Sequence, residues 1–335
     1  MEQKKAHTFV NLADPDLHIQ WPIPLEESER SEADLHHPML RDAKPMAPRR
    51  TMVTGCNGQL GRAVRAYAEA HGLRGFEYTD IDEFDFSDPT AYDKYDWSLY
   101  GTIINAGAYT AVDRAETPEG RALAWKANAQ GPALLARVAK DHHITLVHVS
   151  SDYVFDGTGH IPYTEEVTPC PNSVYGSTKL AGEQAVMEKC SRAMVIRTAW
   201  LYSVYGNNFV KTMIRLGNER EKLGVVFDQI GTPTYANDLA RAIFAAINRG
   251  IVPGIYHFSD EGVCSWYDFT VAIHRIAGIT SCKVSPLHTY EYPAKAPRPQ
   301  YSVLDKTKIK KTFGIGIPHW EESLQVCIER LAQQA

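Results

Sequence analysis

The stretch RTMVTGCNGQLGRAVRAYAEAH, residues 50–71 of the 335-residue chain, decides the fold. It begins with a short, largely apolar run and turns through three glycines, Gly55, Gly58 and Gly61, in a G-x-x-G-x-x-G spacing. Apolar residues then recur at helical intervals from residue 59 to residue 71. A strand, a glycine-rich turn and a helix in this order are typical of dinucleotide binding, because glycines let backbone N–H groups approach a pyrophosphate.

Three further apolar runs, at 76–79, 102–105 and 144–149, alternate with helical patterns, the longest of which covers 115–142. The run at 144–149 (ITLVHV) is apolar almost throughout, as expected for a strand whose two faces are both covered. This alternation predicts an α/β fold with a doubly wound, Rossmann-like parallel sheet and a smaller C-terminal lobe for the substrate.

The first 49 residues have a different character. They contain six prolines and many charges, and no period of 2 or 3.6 is sustained. We therefore expect residues 1–49 to form an extended arm that cannot bury a core of its own. Residues 50–200 are expected to form mainly the NAD(P)-binding lobe, and residues 201–335 mainly the lobe that binds the substrate.

The composition excludes several classes of protein. The formal charge is −5, so neither nucleic acid nor an anionic membrane surface is expected as a partner. No apolar run approaches the ~20 residues of a membrane helix, and the N-terminus lacks the apolar core of a signal peptide, which predicts a cytoplasmic protein. The six cysteines are scattered singly and the paired histidines are adjacent, so we expect no metal site.

Asp80 lies about 20 residues beyond the last glycine of the turn, directly after the second apolar run. A carboxylate at this place accepts hydrogen bonds from the adenosine ribose hydroxyls. It favours NAD, because it would repel a 2′-phosphate, whereas Arg62 just past the turn counters that preference. The predicted cofactor is therefore NADPH or NADH, and the choice between them stays open.

A second group of polar residues indicates proton transfer. Tyr175 and Lys179 share one face of a helix predicted over 174–188. A nearby ammonium stabilises a phenolate and lowers the pKa of tyrosine from its usual value near 10. Ser151, at the end of the fourth apolar run, can hydrogen-bond a substrate carbonyl and hold a developing oxyanion. These three residues are the predicted catalytic group.

Six separated stretches resemble the dTDP-4-dehydrorhamnose reductases, a family of extended short-chain dehydrogenase/reductases. They are NAGAYTAVDRAE (105–116), VSSDYVFDG (149–157), VYGSTKLAGE (174–183), RTAWLY (197–202), DQIGTPT (228–234) and PRPQYSVLD (297–305). The resemblance implies an enzyme of dTDP-rhamnose biosynthesis that reduces the 4-keto group of dTDP-4-dehydro-β-L-rhamnose with NAD(P)H. In this reaction Tyr175 would protonate the oxygen, Lys179 would also hold the nicotinamide ribose, and Ser151 stands where the family often has threonine.

The resemblance also implies which residues meet each ligand. For the cofactor, in addition to Tyr175 and Lys179, these are Gly55, Gly58, Gln59, Leu60 and Gly61 at the phosphates, Asp80 at the ribose, Asp85 and Phe86 by the adenine, and Ala108, Tyr109 and Thr110 further along. The dTDP-sugar would meet Ser151, Asp152, Tyr175 and Trp200. A homodimer is also compatible with the family, although we find no match for the surface glutamates that bind magnesium in some members.

The arm shows a separate resemblance. Residues 14–40, DPDLHIQWPIPLEESERSEADLHHPML, are similar to the C-terminal tail of dTDP-4-dehydrorhamnose 3,5-epimerase, which makes the reductase's substrate. We therefore expect the chain to be fused to, or associated with, a 3,5-epimerase, and to represent the reductase part of such a fusion.

Two alternatives remain open at this point. Another extended short-chain enzyme, such as a nucleotide-sugar 4-epimerase, would share the cofactor lobe and the tyrosine–lysine pair, but would consume no reduced cofactor. A non-catalytic regulatory subunit of the same fold would bind a partner and show no turnover.

Overall fold

The computed structural model describes residues 9–43 and 49–334. The chain divides into two compact units, Met1–Arg49 and Arg50–Ala335. Residues 1–8 and 44–48 of the predicted arm lie outside the described residues.

In the first unit, residues 9–43 form short elements held together by polar contacts. These elements are 3₁₀ helices at Pro15–Leu17, Leu25–Glu27 and Leu40–Asp42, and the one-turn helix α1 (Glu32–Leu35). The buried side chains among these residues are polar ones, Asn11 and Asp14. Asn11 donates to the carbonyl of Leu35 over 3.1 Å, and Asp14 accepts the N–H of Leu40. No apolar side chain is buried in the described part of this unit.

The second unit is organised around a parallel sheet. The strands of this unit are β1 (Arg50–Thr54), β2 (Phe76–Thr79), β3 (Tyr100–Asn105), β4 (Thr145–Ser151), β5 (Ala193–Thr198), β6 (Leu201–Tyr202), β7 (Lys222–Val226), β8 (Ile230–Gly231), β9 (Thr234–Tyr235), β10 (Gly254–Phe258), β11 (Cys264–Ser265) and β12 (Lys283–Leu287). Six of them pair in parallel in the order β10-β5-β4-β3-β1-β2. The chain crosses from one side of β1 to the other between β2 and β3, and open sheets bind ligands at the carboxyl ends of the strands at such a point.

Helices cover both faces of this sheet. The helices of the second unit are α2 (Gln59–Ala70), α3 (Val112–Ala115), α4 (Pro118–Trp125), α5 (Gly131–Asp141), α6 (Val174–Lys189), α7 (Phe209–Glu219), α8 (Ala236–Asn248), α9 (Trp266–Ile276), α10 (Thr307–Phe313) and α11 (Trp320–Ala332). Val53 of β1 packs in one apolar cluster with residues of α2 and α8, whereas its neighbour Met52 packs in another with residues of α5 and α6. The predicted doubly wound α/β fold is therefore confirmed.

The single helix predicted over 115–142 is divided in the structure. Thr117 caps α4 by accepting the N–H of Gly120 over 3.1 Å, and Pro118 follows at the first helical position. Further along, Lys126–Gln130 forms a π-helical turn between α4 and α5. Pro132 has no N–H to offer the carbonyl of residue 128, which explains why the helix loosens there.

The C-terminal part of the chain contributes to two cores. Its β10 and α8 join the main sheet, while α7, α9 and α11 enclose a separate apolar cluster that includes Val210, Phe269 and Leu324. The division of the second unit at residue 200 stays a prediction. Among the described residues, we find no helix with the length and apolarity needed to cross a membrane.

Candidate active site

A cleft of about 680 Å³ opens at the carboxyl ends of the sheet strands. The predicted site residues that line it are Gly55, Gly58, Gln59, Leu60, Asp80, Asp85, Phe86, Ala108, Tyr109, Thr110, Ser151, Asp152, Tyr175, Lys179 and Trp200. Val149 and Tyr153 also line it and were assigned no role from sequence, although they flank Ser151 in one of the quoted motifs. Asn207 reaches the cleft from the segment between β6 and α7, where the sequence offered no signal.

Two of the turn glycines are required by close backbone packing. Gly55 has φ +66°, and a Cβ there would lie 2.5 Å from Cα of Gly107. A Cβ on Gly61 would lie 2.3 Å from the carbonyl oxygen of Gly55. Gly61, predicted to bind the cofactor, does not line the cleft; it lets α2 pack closely against the turn.

The N-terminus of α2 is open to an anion. Its N-cap is Gly58, so no side chain caps the helix, and its first turn carries no acidic residue. The free N–H groups and the positive end of the helix dipole therefore face the cleft without a competing carboxylate. Beside them, Asp80 accepts the N–H of Asn57 over 2.8 Å, which fixes this carboxylate at the turn. These residues fit a dinucleotide, with the pyrophosphate at α2 and a ribose at Asp80.

Gln59 connects the glycine turn to the C-terminal half of the chain. Its side-chain oxygen accepts hydrogen bonds from Ser203 and Asn208, each over 3.1 Å. The start of α2 is thus held against the segment that precedes α7.

The next part of the cleft has an aromatic wall. The ring of Phe86 lies between Gly107 and Gly131, where an added Cβ would come within 2.6 Å and 2.5 Å of it, respectively. Asp85 next to it pairs with Lys126 over 3.0 Å. Burial alone would raise the pKa of Asp85, but hydrogen bonds from Ser87 and Lys126 lower it overall.

Asn128, in the π-helical turn, fixes the backbone at Tyr109. Its side-chain oxygen accepts the N–H of Tyr109 over 2.8 Å, and its amide donates to the carbonyl of the same residue over 3.0 Å. The amide also donates to Thr178 on α6 over 3.2 Å. This residue, which the sequence did not single out, positions the strand-end segment against the catalytic helix.

The predicted catalytic side chains meet at the start of α6. Ser173 caps this helix by accepting the N–H of Gly176, and Tyr175 and Lys179 follow one turn apart, both buried. The ammonium of Lys179 donates to the carbonyl of Val149 over 2.7 Å, which ties α6 to β4. Ser151 ends β4 and is also buried.

The buried environment sets the protonation of this pair. The pKa of Tyr175 is not lowered, as the nearby ammonium led us to expect: burial raises it to about 12, although a hydrogen bond with Ser151 acts in the opposite direction. Burial lowers the pKa of Lys179 to about 8, and the charge of Glu183 opposes that decrease. Near neutral pH the phenol therefore retains its proton and the lysine is mostly charged, which suits a proton donor beside a cation.

Ser151 is already engaged in the structure. Its hydroxyl donates to Asp152 over 2.8 Å and accepts the N–H of Tyr153 over 3.2 Å. Burial raises the pKa of Asp152 to about 6, although hydrogen bonds from Ser151 and Ser302 act to lower it. The hydroxyl hydrogen of Ser151 must turn away from Asp152 before it can be donated to a ligand.

One face of the Trp200 ring is covered. Its indole stacks on Trp266 with ring centroids 3.5 Å apart, and its φ of +48° is strained for a residue with a side chain. Trp200 thus lines the cleft with its ring held by Trp266, and an indole in this place can pack against a sugar or a base.

A buried ion pair lies one turn beyond Lys179. Arg197 on β5 donates to Glu183 through two nitrogens, with the shortest contact at 2.7 Å, and both side chains are almost fully buried. Sequence reasoning missed this pair because the partners lie on different elements. Elsewhere, no group of three or more His, Cys, Asp or Glu side chains in residues 9–43 and 49–334 has an arrangement that could hold a metal ion.

Comparisons with known proteins agree with this geometry. The model of the family described as RmlD substrate binding domain matches residues 49–333. A dTDP-4-dehydrorhamnose reductase of Aggregatibacter actinomycetemcomitans is 39% identical over 287 residues, covering 82% of this chain and 97% of that protein.

Two solved structures are also similar. A dTDP-4-dehydrorhamnose reductase of Clostridium acetobutylicum has 42% identity and a TM-score of 0.81, over 84% of this chain and 99% of the other. The same enzyme of Bacillus anthracis, in complex with NADP, has 38% identity and a TM-score of 0.79, over 86% of this chain and 100% of the other. The family match begins at residue 49, so it does not support the resemblance of the arm to an epimerase tail.

Proposed function

The chain belongs to the RmlD substrate binding domain family, and we propose that it reduces the 4-keto group of dTDP-4-dehydro-β-L-rhamnose to dTDP-β-L-rhamnose, with NADH or NADPH. The observation that carries this proposal is one cleft that holds both an uncapped helix N-terminus and the buried Ser151, Tyr175 and Lys179. The substrate is taken from the shared activity named for the relatives.

The cofactor is held mainly by the first half of the second unit. The N–H groups of Gln59 and Leu60 would bind the pyrophosphate where Gly55 and Gly58 let it approach the backbone, and Asp80 would accept from the adenosine ribose. Asp85 and Phe86 border the adenine, the segment of Ala108, Tyr109 and Thr110 continues the site, and Lys179 reaches the second ribose. When bound, the reduced nicotinamide supplies the hydride equivalent for C4 of the sugar.

Tyr175 supplies the proton. Its phenol donates to the oxygen at C4 as negative charge develops there, and the ammonium of Lys179 stabilises the phenolate that remains. Ser151 donates to the same oxygen once its hydroxyl leaves Asp152. Because the pKa of Asp152 is about 6, protonating this carboxyl near neutral pH costs little free energy. A protonated Asp152 can donate to Ser151, which frees the serine hydroxyl hydrogen for the substrate oxygen.

The dTDP-sugar occupies the space between these residues and Trp200. The part of the indole that lines the cleft packs on a sugar or a base, and Asp152 accepts from a substrate hydroxyl. Residues 50–200 provide mainly the cofactor side of this arrangement, and residues 201–335 mainly the substrate side.

The proposal is tested by following absorbance of the reduced nicotinamide with dTDP-4-dehydrorhamnose generated in situ, separately with NADPH and NADH. Substrate-dependent loss of absorbance supports the reductase. Cofactor that stays tightly bound, with interconversion of nucleotide sugars and no net consumption, would indicate a 4-epimerase. Cofactor binding without any turnover would indicate a regulatory subunit.

The arm and the oligomeric state form a further part of the proposal. Residues 14–40 resemble an epimerase tail, so the reductase associates with a 3,5-epimerase, either within a longer chain or as a separate partner. A homodimer belongs to the same proposal. Light scattering after gel filtration measures the mass of the protein alone, which gives its oligomeric state, and the mass of any complex that forms with added 3,5-epimerase. A variant that lacks residues 1–49 should lose the complex, and a complex that forms equally well without the arm would contradict this role.

A further inference from the structure

A second pocket, of about 500 Å³, borders the glycine turn and shares no lining residue with the main cleft. Its lining residues are Asn57, Arg62, Arg65, Ala66, Glu69 and Tyr205. It therefore carries two positive charges and one negative charge, and the function proposed above assigns it no role.

Both arginines are held by the flat faces of their guanidinium groups. The central carbon of Arg62 lies 4.8 Å from the ring centroid of Tyr205, and that of Arg65 lies 4.4 Å from the ring centroid of Tyr78. Stacking of this kind covers the face of a guanidinium and leaves its N–H edges available for two parallel hydrogen bonds to an anion.

These edges have few partners in the protein. None of the ion pairs formed within residues 9–43 and 49–334 includes Arg62 or Arg65. Arg65 makes a weak contact of 3.6 Å with the sulfur of Cys56, and its Nε is buried without a hydrogen-bond partner among the described residues. Because a guanidinium carries five N–H donors, the outer N–H groups of these two side chains can still bind a ligand that supplies oxygen atoms.

The pocket adjoins the position proposed for the adenosine ribose. Asn57 lines the pocket and donates its backbone N–H to Asp80 over 2.8 Å. A ribose held by Asp80 would thus have its 2′-oxygen next to Asn57, which belongs both to the pocket and to the glycine turn. Asp80 also accepts the N–H of Ile81 over 2.9 Å, so its charge is already partly compensated by backbone dipoles.

We propose that Arg62 and Arg65, with the side-chain amide of Asn57, bind the 2′-phosphate of NADPH. This inference rests on the proposed function, because it requires the adenosine ribose at Asp80. The two guanidinium groups offset the repulsion between the phosphate and Asp80, while Asp80 continues to bind the free ribose hydroxyls of NADH. The same site therefore accepts both cofactors, and the arginines determine the affinity for the phosphorylated one.

The test is calorimetric binding of NADPH, NADH, adenosine 2′,5′-bisphosphate and 5′-AMP to the full chain. Arg62→Ala should weaken NADPH and the bisphosphate about tenfold and leave NADH and AMP unchanged, because only the phosphorylated ligands lose a charge-assisted contact. Arg65→Lys, which keeps the stem and the charge but loses the planar fork, should show the same selectivity with a smaller effect. Added salt should weaken NADPH more steeply than NADH.

Arg137→Ala is the matched control, because Arg137 is an exposed arginine on α5, which covers the opposite face of the sheet from α2. It should leave all four affinities unchanged. If Arg62→Ala weakened the affinities for NADPH and NADH equally, or changed neither, the inference would be overturned. The proposed function would stand in that case, provided that the wild type binds NADH. Failure of the wild type to bind NADH and NADPH would instead contradict the proposed function itself.

Discussion

Two helices of the sheet layer, α2 and α6, open onto the same cleft but begin in opposite ways. At the start of α2 the N-cap is Gly58, and no side chain occupies the free N–H groups. At the start of α6 the hydroxyl of Ser173 accepts the N–H of Gly176 over 3.1 Å, and Glu116 accepts the N–H of Val174 over 2.9 Å. The backbone at the start of α2 is thus available to a ligand, whereas two of the first N–H groups of α6 already have side-chain acceptors.

The difference shows how one fold divides binding from chemistry. In α2 the side chains that face the sheet are apolar, and what the helix offers the cleft is its backbone and dipole. In α6 the buried face carries Tyr175, Lys179 and Glu183, and what the helix offers is its side chains. Changes at the start of α2 should therefore alter cofactor affinity, whereas changes on α6 should alter turnover.

The largest expected effect is on turnover, from Tyr175→Phe. Removing the phenolic proton should lower kcat by about 10²- to 10⁴-fold, while the affinity for NADH changes by less than about twofold. Tyr153→Phe is the matched control, because Tyr153 lines the same cleft and packs edge-on against Tyr175 with ring centroids 5.4 Å apart. Near wild-type kcat for Tyr175→Phe, or an equal loss for both variants, would contradict the assignment.

The complementary change gives α2 a negatively charged cap. Gly58→Asp should weaken both NADH and NADPH by roughly a hundredfold, because a carboxylate then competes with and repels the pyrophosphate. Gly58→Asn is the matched control, because asparagine is nearly the same size as aspartate but carries no charge. In both variants the new Cβ lies 3.3 Å from the carbonyl oxygen of Gly55, so the difference between them isolates the effect of charge. Calorimetric titration measures both variants, and equal affinities for the two would show that no anion binds at this helix end.

The pH dependence of turnover should sharpen the role of α6. The pKa of Lys179 is about 8, so its charge is present below that pH and is lost as the pH rises through it. The phenol of Tyr175, with a pKa of about 12, keeps its proton throughout this range. We expect kcat to be level below about pH 8 and to fall by up to roughly tenfold per pH unit above it.

This pH profile is measured by steady-state turnover with saturating NADH, with circular dichroism at each pH as the control for folding. A kcat that stays level to pH 10 would contradict the proposal that the charge of Lys179 supports proton transfer.

The smallest effect concerns the cap of α6. Ser173→Ala should lower the free energy of unfolding by about 1 kcal/mol, and Ser173→Gly by only a few tenths. Denaturant titration monitored by circular dichroism measures both. If the alanine variant were as stable as the wild type, the N-terminus of α6 would not depend on its cap, and the contrast with α2 would lose its basis.

Much of the fold could be predicted because its signals are local. The bounds of β1 and β2, Arg50–Thr54 and Phe76–Thr79, agree with the apolar runs in the sequence, since glycine or charged residues end each run. Helix α6 is an instructive case, because its buried face is polar and its apolar pattern is weak. Its bounds, Val174–Lys189, nevertheless agree within one residue with the expected helix over 174–188.

What the sequence did not indicate depends on partners from distant parts of the chain. The pairing of Glu183 with Arg197, and that of Asn128 with Tyr109, join residues on different elements, so no spacing reveals them. The division of the 115–142 helix did have a local signal, the Thr117-Pro118 pair, which is typical of a helix start and which the prediction overlooked. The packing role of Gly61 likewise required the position of the Gly55 carbonyl.

The central claim is that this cleft transfers hydrogen from a reduced nicotinamide to C4 of the sugar. The most direct measurement supplies NADH or NADPH with deuterium at the transferred position and examines the nucleotide sugar by mass spectrometry and proton NMR. We expect one deuterium in the dTDP-rhamnose product, located at C4, and almost none in the same time with Tyr175→Phe. A wild-type protein that binds the deuterated cofactor but yields no deuterated product from dTDP-4-dehydrorhamnose would contradict it.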